Sequence, residues 1–161
     1  MNCFANFTPD NSCFFTMEKL PDLLHEQGYK KIKFKVSKTQ HLLVKAKING
    51  VAGWFILDTG ASNSCVGFEG IELFKLSPEN SSTKAAGAGA TGMYTQIAPK
   101  NILQIGRWKT RHFPLVVFDL SHVNQALSQH KAQPVQGIIG ADVLLSGHAI
   151  IDYYHGCVYL Q

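Results

Sequence analysis

The sequence predicts an all-β barrel or sandwich with minor helices, and three observations carry that expectation. Apolar residues recur with a period of two along much of the chain, the runs are short, and turn-forming residues interrupt them often. The length, 161 residues with 45% hydrophobic and 16% charged, suits one well-buried core and is short for two domains.

Residues 1–30 read as an irregular N-terminal arm with room for one short helix. Met1 to Phe15 is rich in Asn, Cys and Phe without a period, and a short helix is expected from Pro21 to Gln27, stopped by Gly28. From residue 31 to 161 the strands follow. Ile32, Phe34 and Val36 alternate with lysines, a turn falls at Ser37 to Gln40, and Leu42, Val44, Ala46 and Ile48 alternate again. Asn49-Gly50 is a strong hairpin signal that returns the chain into Val51 to Leu57, whose Trp54-Phe55-Ile56-Leu57 is apolar on both faces. A short strand is expected at Ser64 to Gly67, a helical turn at Ile71 to Leu76 and a polar loop at Ser77 to Thr83. Two strands, Met93 to Ala98 and Ile102 to Ile105, are expected to join near Pro99, with a β run at Leu115 to Phe118 and a helix at Ser121 to Ser128. Gly137 to Gly140 reads as a buried strand and Ala141 to Leu145 as a short helix, and Ala149 to Asp152 with Cys157 to Leu160 forms a closing hairpin.

Composition narrows the function. The net charge of +4 is modest, and Lys30, Lys31, Lys33 and Lys35 fall on one expected strand and Lys45 and Lys47 on the next, with no set of stacking aromatics interleaved with them. They read as a solvated face, so no nucleic-acid partner is expected. Cys3, Cys13, Cys65 and Cys157 form no CxxC pair, and the seven histidines no HExxH, so neither a metal nor a cofactor is expected. Cys3 and Cys13 could bridge in an oxidising compartment. No run reaches the roughly 18 apolar residues of a membrane span. The first fifteen residues lack the pattern of a secretory signal, which leaves the cytoplasm and the periplasm as open expectations.

The chemistry centres on Phe55-Ile56-Leu57-Asp58-Thr59-Gly60-Ala61-Ser62, where an apolar strand ends in a carboxylate, a hydroxyl and a glycine. Such a strand would hold Asp58 rigidly at the edge of the core. Gly60 would let the backbone turn sharply and bring its N–H to the carboxylate, and Thr59 offers a hydroxyl for a symmetric partner. The tripeptide alone also fits an ordinary strand-to-turn junction. About eighty residues downstream, Gly137-Ile138-Ile139-Gly140-Ala141-Asp142-Val143-Leu144 leads a short strand into a helix with Asp142 in its first turn. The two segments together, at this separation, are specific.

The chain resembles the retropepsin-like aspartic proteases, particularly the bacterial single-domain type. The resemblance rests on FILDTGAS at Phe55 to Ser62, GAGATG at Gly87 to Gly92, VVFDLS at Val116 to Ser121, GIIGADVL at Gly137 to Leu144 and AIIDY at Ala149 to Tyr153. It implies a retropepsin-like acid protease barrel, one domain per chain, over roughly Lys31 to Leu160. It implies Asp58 as the catalytic aspartate, Thr59 in a dimer-bridging hydrogen-bond network and Gly60 as the close-approach glycine. Ala61, Ser62 and a flap around Gly87, Ala88, Gly89 and Ala90 would meet the substrate. Retroviral members carry an aspartate and an Arg-Asp pair where this chain has Ser62 and Ala141-Asp142, so their ionic clamp is missing and pairing must rest on other contacts.

Peptide hydrolysis by water needs one group to take a proton and another to give one. Two close aspartates do this by sharing a proton, for which aspartic proteases are a standard example. This chain holds one Asp-Thr-Gly, and Asp119, Asp142 and Asp152 are followed by Leu, Val and Tyr, so the second carboxylate is expected from a second copy in a homodimer. The substrate would be a peptide in extended conformation. A catalytically silent, dimeric peptide-binding module is the alternative. A hydrolase using Ser62, Ser64 or Cys65 would be another, although no GxSxG elbow is present.

Overall fold

The computed structural model describes residues 11–80, 85–87 and 90–161, with side chains from 19 to 79 and from 94 onward. In chain order the elements are α1 (Asn11–Glu26), β1 (Lys30–Lys33), β2 (Lys35–Val36), β3 (Leu42–Ile48), β4 (Val51–Leu57), β5 (Cys65–Val66), α2 (Gly70–Leu73), β6 (Glu79–Asn80), β7 (Ala85–Gly87), β8 (Ala90–Met93), β9 (Gln96–Ile105), β10 (Trp108–Val117), α3 (Ser121–Gln129), β11 (Gly137–Ile139), α4 (Ala141–Ser146), β12 (Ile150–Asp152) and β13 (Cys157–Leu160).

The largest sheet runs β2-β3-β4-β11-β5-β10-β9-β6, and a further pairing of β3 with β9 closes its six inner strands into a barrel. Pairing is mixed. β4 with β11 and β5 with β10 are parallel, while the other neighbours are antiparallel. Closure removes the free edges that an open sheet would expose. Alternation along each strand fills the interior with Val44, Ile48, Phe55, Val66, Leu103, Ile105, Leu115, Val117 and Ile139, all at most 1% exposed. A three-stranded sheet, β1-β13-β12, packs Ile32, Val158 and Leu160 into the same core. Its Cys157 and Tyr159 form a separate cluster with Leu24 of α1.

Several expectations need correction. The N-terminal arm is not irregular throughout: α1 begins at Asn11, ten residues before the expected Pro21, and carries Pro21 inside it. A proline in a helix removes one backbone donor, and here the helix continues because its last turns pack on the sheet through Leu24 and Leu20. The lysine-rich strand is two strands. It breaks at Phe34, β1 pairing with β13 and β2 with β3, so Val36 ends 54% exposed and outside the alternation. β9 runs unbroken through Pro99 for 10 residues, and β10 is 10 residues long where only its end was expected. The β9–β10 ladder absorbs this length with register shifts around His112, which has φ 54°. Buried Asn101 donates there to the carbonyls of Ala98 and Phe113, satisfying backbone groups that the bulge leaves unpaired. The polar loop at Ser77 to Thr83 contains the short edge strand β6. The Asn49-Gly50 hairpin is as expected, with φ of 50° and 88° at the two turn residues.

Candidate active site

The site lies where chain order and spatial order disagree. β4 and β5 are consecutive in sequence, yet β11 lies between them, parallel to one and antiparallel to the other. The segment from Asp58 to Ser64 must therefore pass over the end of β11. Two backbone bonds stitch the crossing: Asp58 N–H donates to the Ile139 carbonyl at 2.9 Å, and Ala141 N–H donates to the Ala61 carbonyl at 2.7 Å. Close approach demands glycine on β11 and just after it. A Cβ at Gly137 would lie 2.2 Å from the Cys65 carbonyl oxygen, and one at Gly140 would lie 2.7 Å from that of Ala61.

Asp58 follows the last residue of β4 and is half-buried, while Thr59, Gly60 and Ser62 are exposed and Ala61 is half-buried. The Gly60 N–H donates to Asp58 Oδ1 at 2.8 Å, as the sequence pattern leads one to expect. A Cβ at Gly60 would sit 3.3 Å from that same oxygen, so a larger residue would crowd the carboxylate. Leu57 and Ile56 behind it are buried, which fixes the stem of the loop.

Below Asp58 lies a second constellation that sequence reasoning saw only in part. Asp142, in the first turn of α4, does not merely face the helix dipole. Its Oδ2 accepts from Ser64 N–H at 2.8 Å, and its Oδ1 accepts from the Ser64 hydroxyl at 2.7 Å and from Val143 N–H at 2.8 Å. The Ser64 hydroxyl in turn accepts from Gly140 N–H at 2.9 Å. Ser64 is fully buried. It is a strut between the two loops, with its hydroxyl engaged twice, and not a nucleophile. Cys65 is equally unsuited, because burial pushes its thiol up to about 12, the Ile138 backbone hydrogen bond offsets only part of that, and Asp142 and Asp58 raise it further. The signal that could have found the strut is a buried hydroxyl residue six positions after an Asp-Thr-Gly aspartate, paired with an Asp in a Gly-x-Asp segment.

The expected flap segment is divided. Gly87 ends β7 and Ala90 begins β8, the two pairing as an antiparallel hairpin with Ala85 opposite Met93. Ala88 and Gly89 lie outside the described residues, as do Cys3 and the side chain of Cys13. At the base of this hairpin Tyr94 stacks on Phe68, with ring centroids 6.3 Å apart. Among the described residues no group of three or more His, Cys, Asp or Glu is placed to hold a metal ion, and no helix is long and apolar enough to cross a membrane.

A closed mixed barrel with an Asp-Thr-Gly loop crossing an inserted strand is the retropepsin arrangement, and solved structures agree. The chain is similar to a retropepsin-like aspartic protease from Rickettsia conorii, with TM-score 0.55 and 15% identity over 82% of this chain and 90% of that one. It is similar to the retroviral protease-like domain of Ddi1 from Leishmania major, with TM-score 0.52 and 21% identity over 79% and 90%. The EIAV protease, solved with the inhibitor HBY-793, matches at TM-score 0.51 and 18% identity over 69% and 91%. No curated protein matches the chain by sequence. The aspartyl protease family model matches residues 44–143, and the chain belongs to that family, in its retropepsin-like branch.

Proposed function

We propose that the chain is an aspartic endopeptidase that works as a homodimer, its protease unit spanning residues 31–161. The observation that supports this best is the state of Asp58: half-exposed at the end of a buried barrel strand, held on one oxygen by Gly60 N–H, on a chain with a single Asp-Thr-Gly. In this reading the Asp58 carboxylates of two copies face each other across a two-fold axis and share one proton. The ionised member takes a proton from water, and the protonated one gives its proton to the scissile carbonyl. Thr59, exposed beside the axis, donates its hydroxyl across to the partner loop. Ala61, Ser62 and the β7–β8 hairpin, with Gly87, Ala88, Gly89 and Ala90, hold an extended peptide over the pair as an added strand. No cofactor enters this scheme.

The test is peptide-library hydrolysis by wild type and by Asp58→Asn. Hydrolysis by the wild type alone, falling faster than linearly on dilution, supports the reading. Turnover by a folded Asp58→Asn protein would overturn the assignment, and a fully active monomer in sedimentation would overturn the homodimer. A wild type that binds peptides and cleaves none would make the protein a silent binding module.

A further inference from the structure

The acidic residues of this chain are segregated. None falls between Glu26 and Asp58, a stretch with seven lysines, and none between Glu79 and Asp119, a stretch with five Lys or Arg. Those two stretches supply β2, β3, β4, β9 and β10, which are neighbours in the barrel wall. Five adjoining strands thus hold no carboxylate, and four of them, β2, β3, β9 and β10, carry positive charge.

Register gathers that charge on the outside of the barrel. Residues paired across a ladder point to the same side, and the barrel interior takes Val44, Ala46, Ile48, Leu103 and Ile105. Lys45 and Lys47 of β3 therefore face outward. Lys47 is paired with Gln104 of β9, which is paired in turn with Lys109 of β10, giving a row across three strands. Lys45 is paired with Trp54 and Lys35 with Leu43, extending the stripe to β2. Lys35, Lys45, Lys47 and Lys109 are all exposed. Two of the ammonium groups, of Lys35 and Lys45, lie 5.2 and 5.4 Å from the centre of the same Trp54 ring. Like charges drawn onto one ring raise the local potential, which an incoming anion would relieve.

We propose that this face docks an acidic segment of the polypeptide substrate, outside the cleft. The proposal rests on the endopeptidase reading and names its substrate class. Trp54, to which two of the lysines are drawn, lies on the same outer face of β4 as Ile56, two residues before Asp58, which places the stripe on the Asp58 side of the barrel wall. Between the two lies α3, which covers Leu43 and Ile56 and has no acidic residue. Lys45 and Lys47 are two residues apart on one strand, about 6.6–6.8 Å, which matches alternate carboxylates on an extended chain. A polypeptide fits better than single-stranded nucleic acid because the one aromatic ring in the stripe is already occupied by lysines, leaving no open stacking platform.

The experiment measures binding of a fluorescent oligo-glutamate peptide by anisotropy, using full-length Asp58→Asn protein so that cleavage plays no part. Binding is expected at low salt, weakening steeply as salt rises. Lys45→Ala/Lys47→Ala/Lys109→Ala should weaken it at least tenfold, while an equal charge loss on β1 (Lys30→Ala/Lys31→Ala/Lys33→Ala) should change it less than threefold. On the Asp58→Asn background the otherwise wild-type surface should bind oligothymidylate and phosphatidylserine vesicles more weakly than the peptide. Equal losses in the two triple variants, or tighter binding of oligothymidylate or vesicles, would overturn the proposal. Hydrolysis of a short uncharged peptide by the Lys45/Lys47/Lys109 variant with Asp58 intact is read separately. Its absence in the wild type too would sink the endopeptidase reading, whereas docking stands or falls on the anisotropy.

Discussion

Asp58 and Asp142 occupy related places in the barrel. Each follows one of two strands, β4 and β11, that lie side by side and parallel, Asp58 in the loop that passes over the end of β11 and Asp142 in the first turn of α4. Both are half-buried, yet Asp142 has both carboxylate oxygens engaged, with three hydrogen bonds from Ser64 and Val143, while Asp58 receives one, from Gly60. The comparison teaches how one crossing makes both a rigid frame and a group left able to react. A carboxylate held by donors on both oxygens is fixed in place and leaves little acceptor capacity for water. A carboxylate held on one side only is oriented and still available.

The largest effect should come from the less engaged partner. Asp58→Asn is expected to cut peptide hydrolysis by about 10²–10⁴-fold or more, with a thermal midpoint close to wild type, since one exposed hydrogen bond changes. A large loss of stability in calorimetry would break the comparison by showing Asp58 to be a structural residue. Next comes the crossing itself. Gly137→Ala should destabilise by about 3 kcal/mol or more, because the new methyl meets a backbone carbonyl that cannot swing away. A denaturation midpoint matching wild type would mean that the β4-β11-β5 packing is looser than these distances imply.

Asp142→Ala should then cost about 2–4 kcal/mol by leaving the buried Ser64 groups without acceptors. Combining it with Ser64→Ala sharpens the contrast. The double variant should lose clearly less than the sum of the singles in urea denaturation, and additivity would mean that the strut carries no shared energy.

The smallest effect concerns a third carboxylate, Asp152 at the end of β12. Burial raises its pKa, but the backbone N–H and ring of His155 outweigh that and hold it below the ordinary 3.8. Its Oδ2 lies 2.6 Å from His155 Nδ1. A folded value below the unfolded one stabilises the fold above about 3.8, a contribution lost as pH falls through the folded value. Thermal midpoints taken from pH 6 down to pH 2 should therefore fall less steeply at the acid end for Asp152→Asn than for wild type. Parallel curves would place Asp152 with Asp58 as a carboxylate whose contacts do not matter to folding.

The two aspartates were unequally legible. Asp58, Thr59 and Gly60 stand together in the sequence after three apolar strand residues, so a local pattern was enough to place the carboxylate beside the glycine N–H. Asp142 was visible as a first-turn acid, but Ser64, its partner, is 78 residues away. Period and turn signals describe neighbours along the chain, and neither reports which strand is inserted between two others. The same limit explains β9 and β10. Pro99 and the bulge at His112 look like strand breakers locally, but a long ladder and buried Asn101 compensate for them.

The amino-acid order by itself determined the all-β class, the hairpin at Asn49-Gly50 and the loop that bears Asp58, because each depends on local backbone freedom and alternating burial. The tertiary structure alone decided that β3 meets β9 to close the barrel and that Asp142 is consumed in holding Ser64. It alone drew lysines from three strands, with Trp54 among them, into one outward stripe. Those outcomes depend on register between distant strands, where a shift of one residue turns every side chain to the other face.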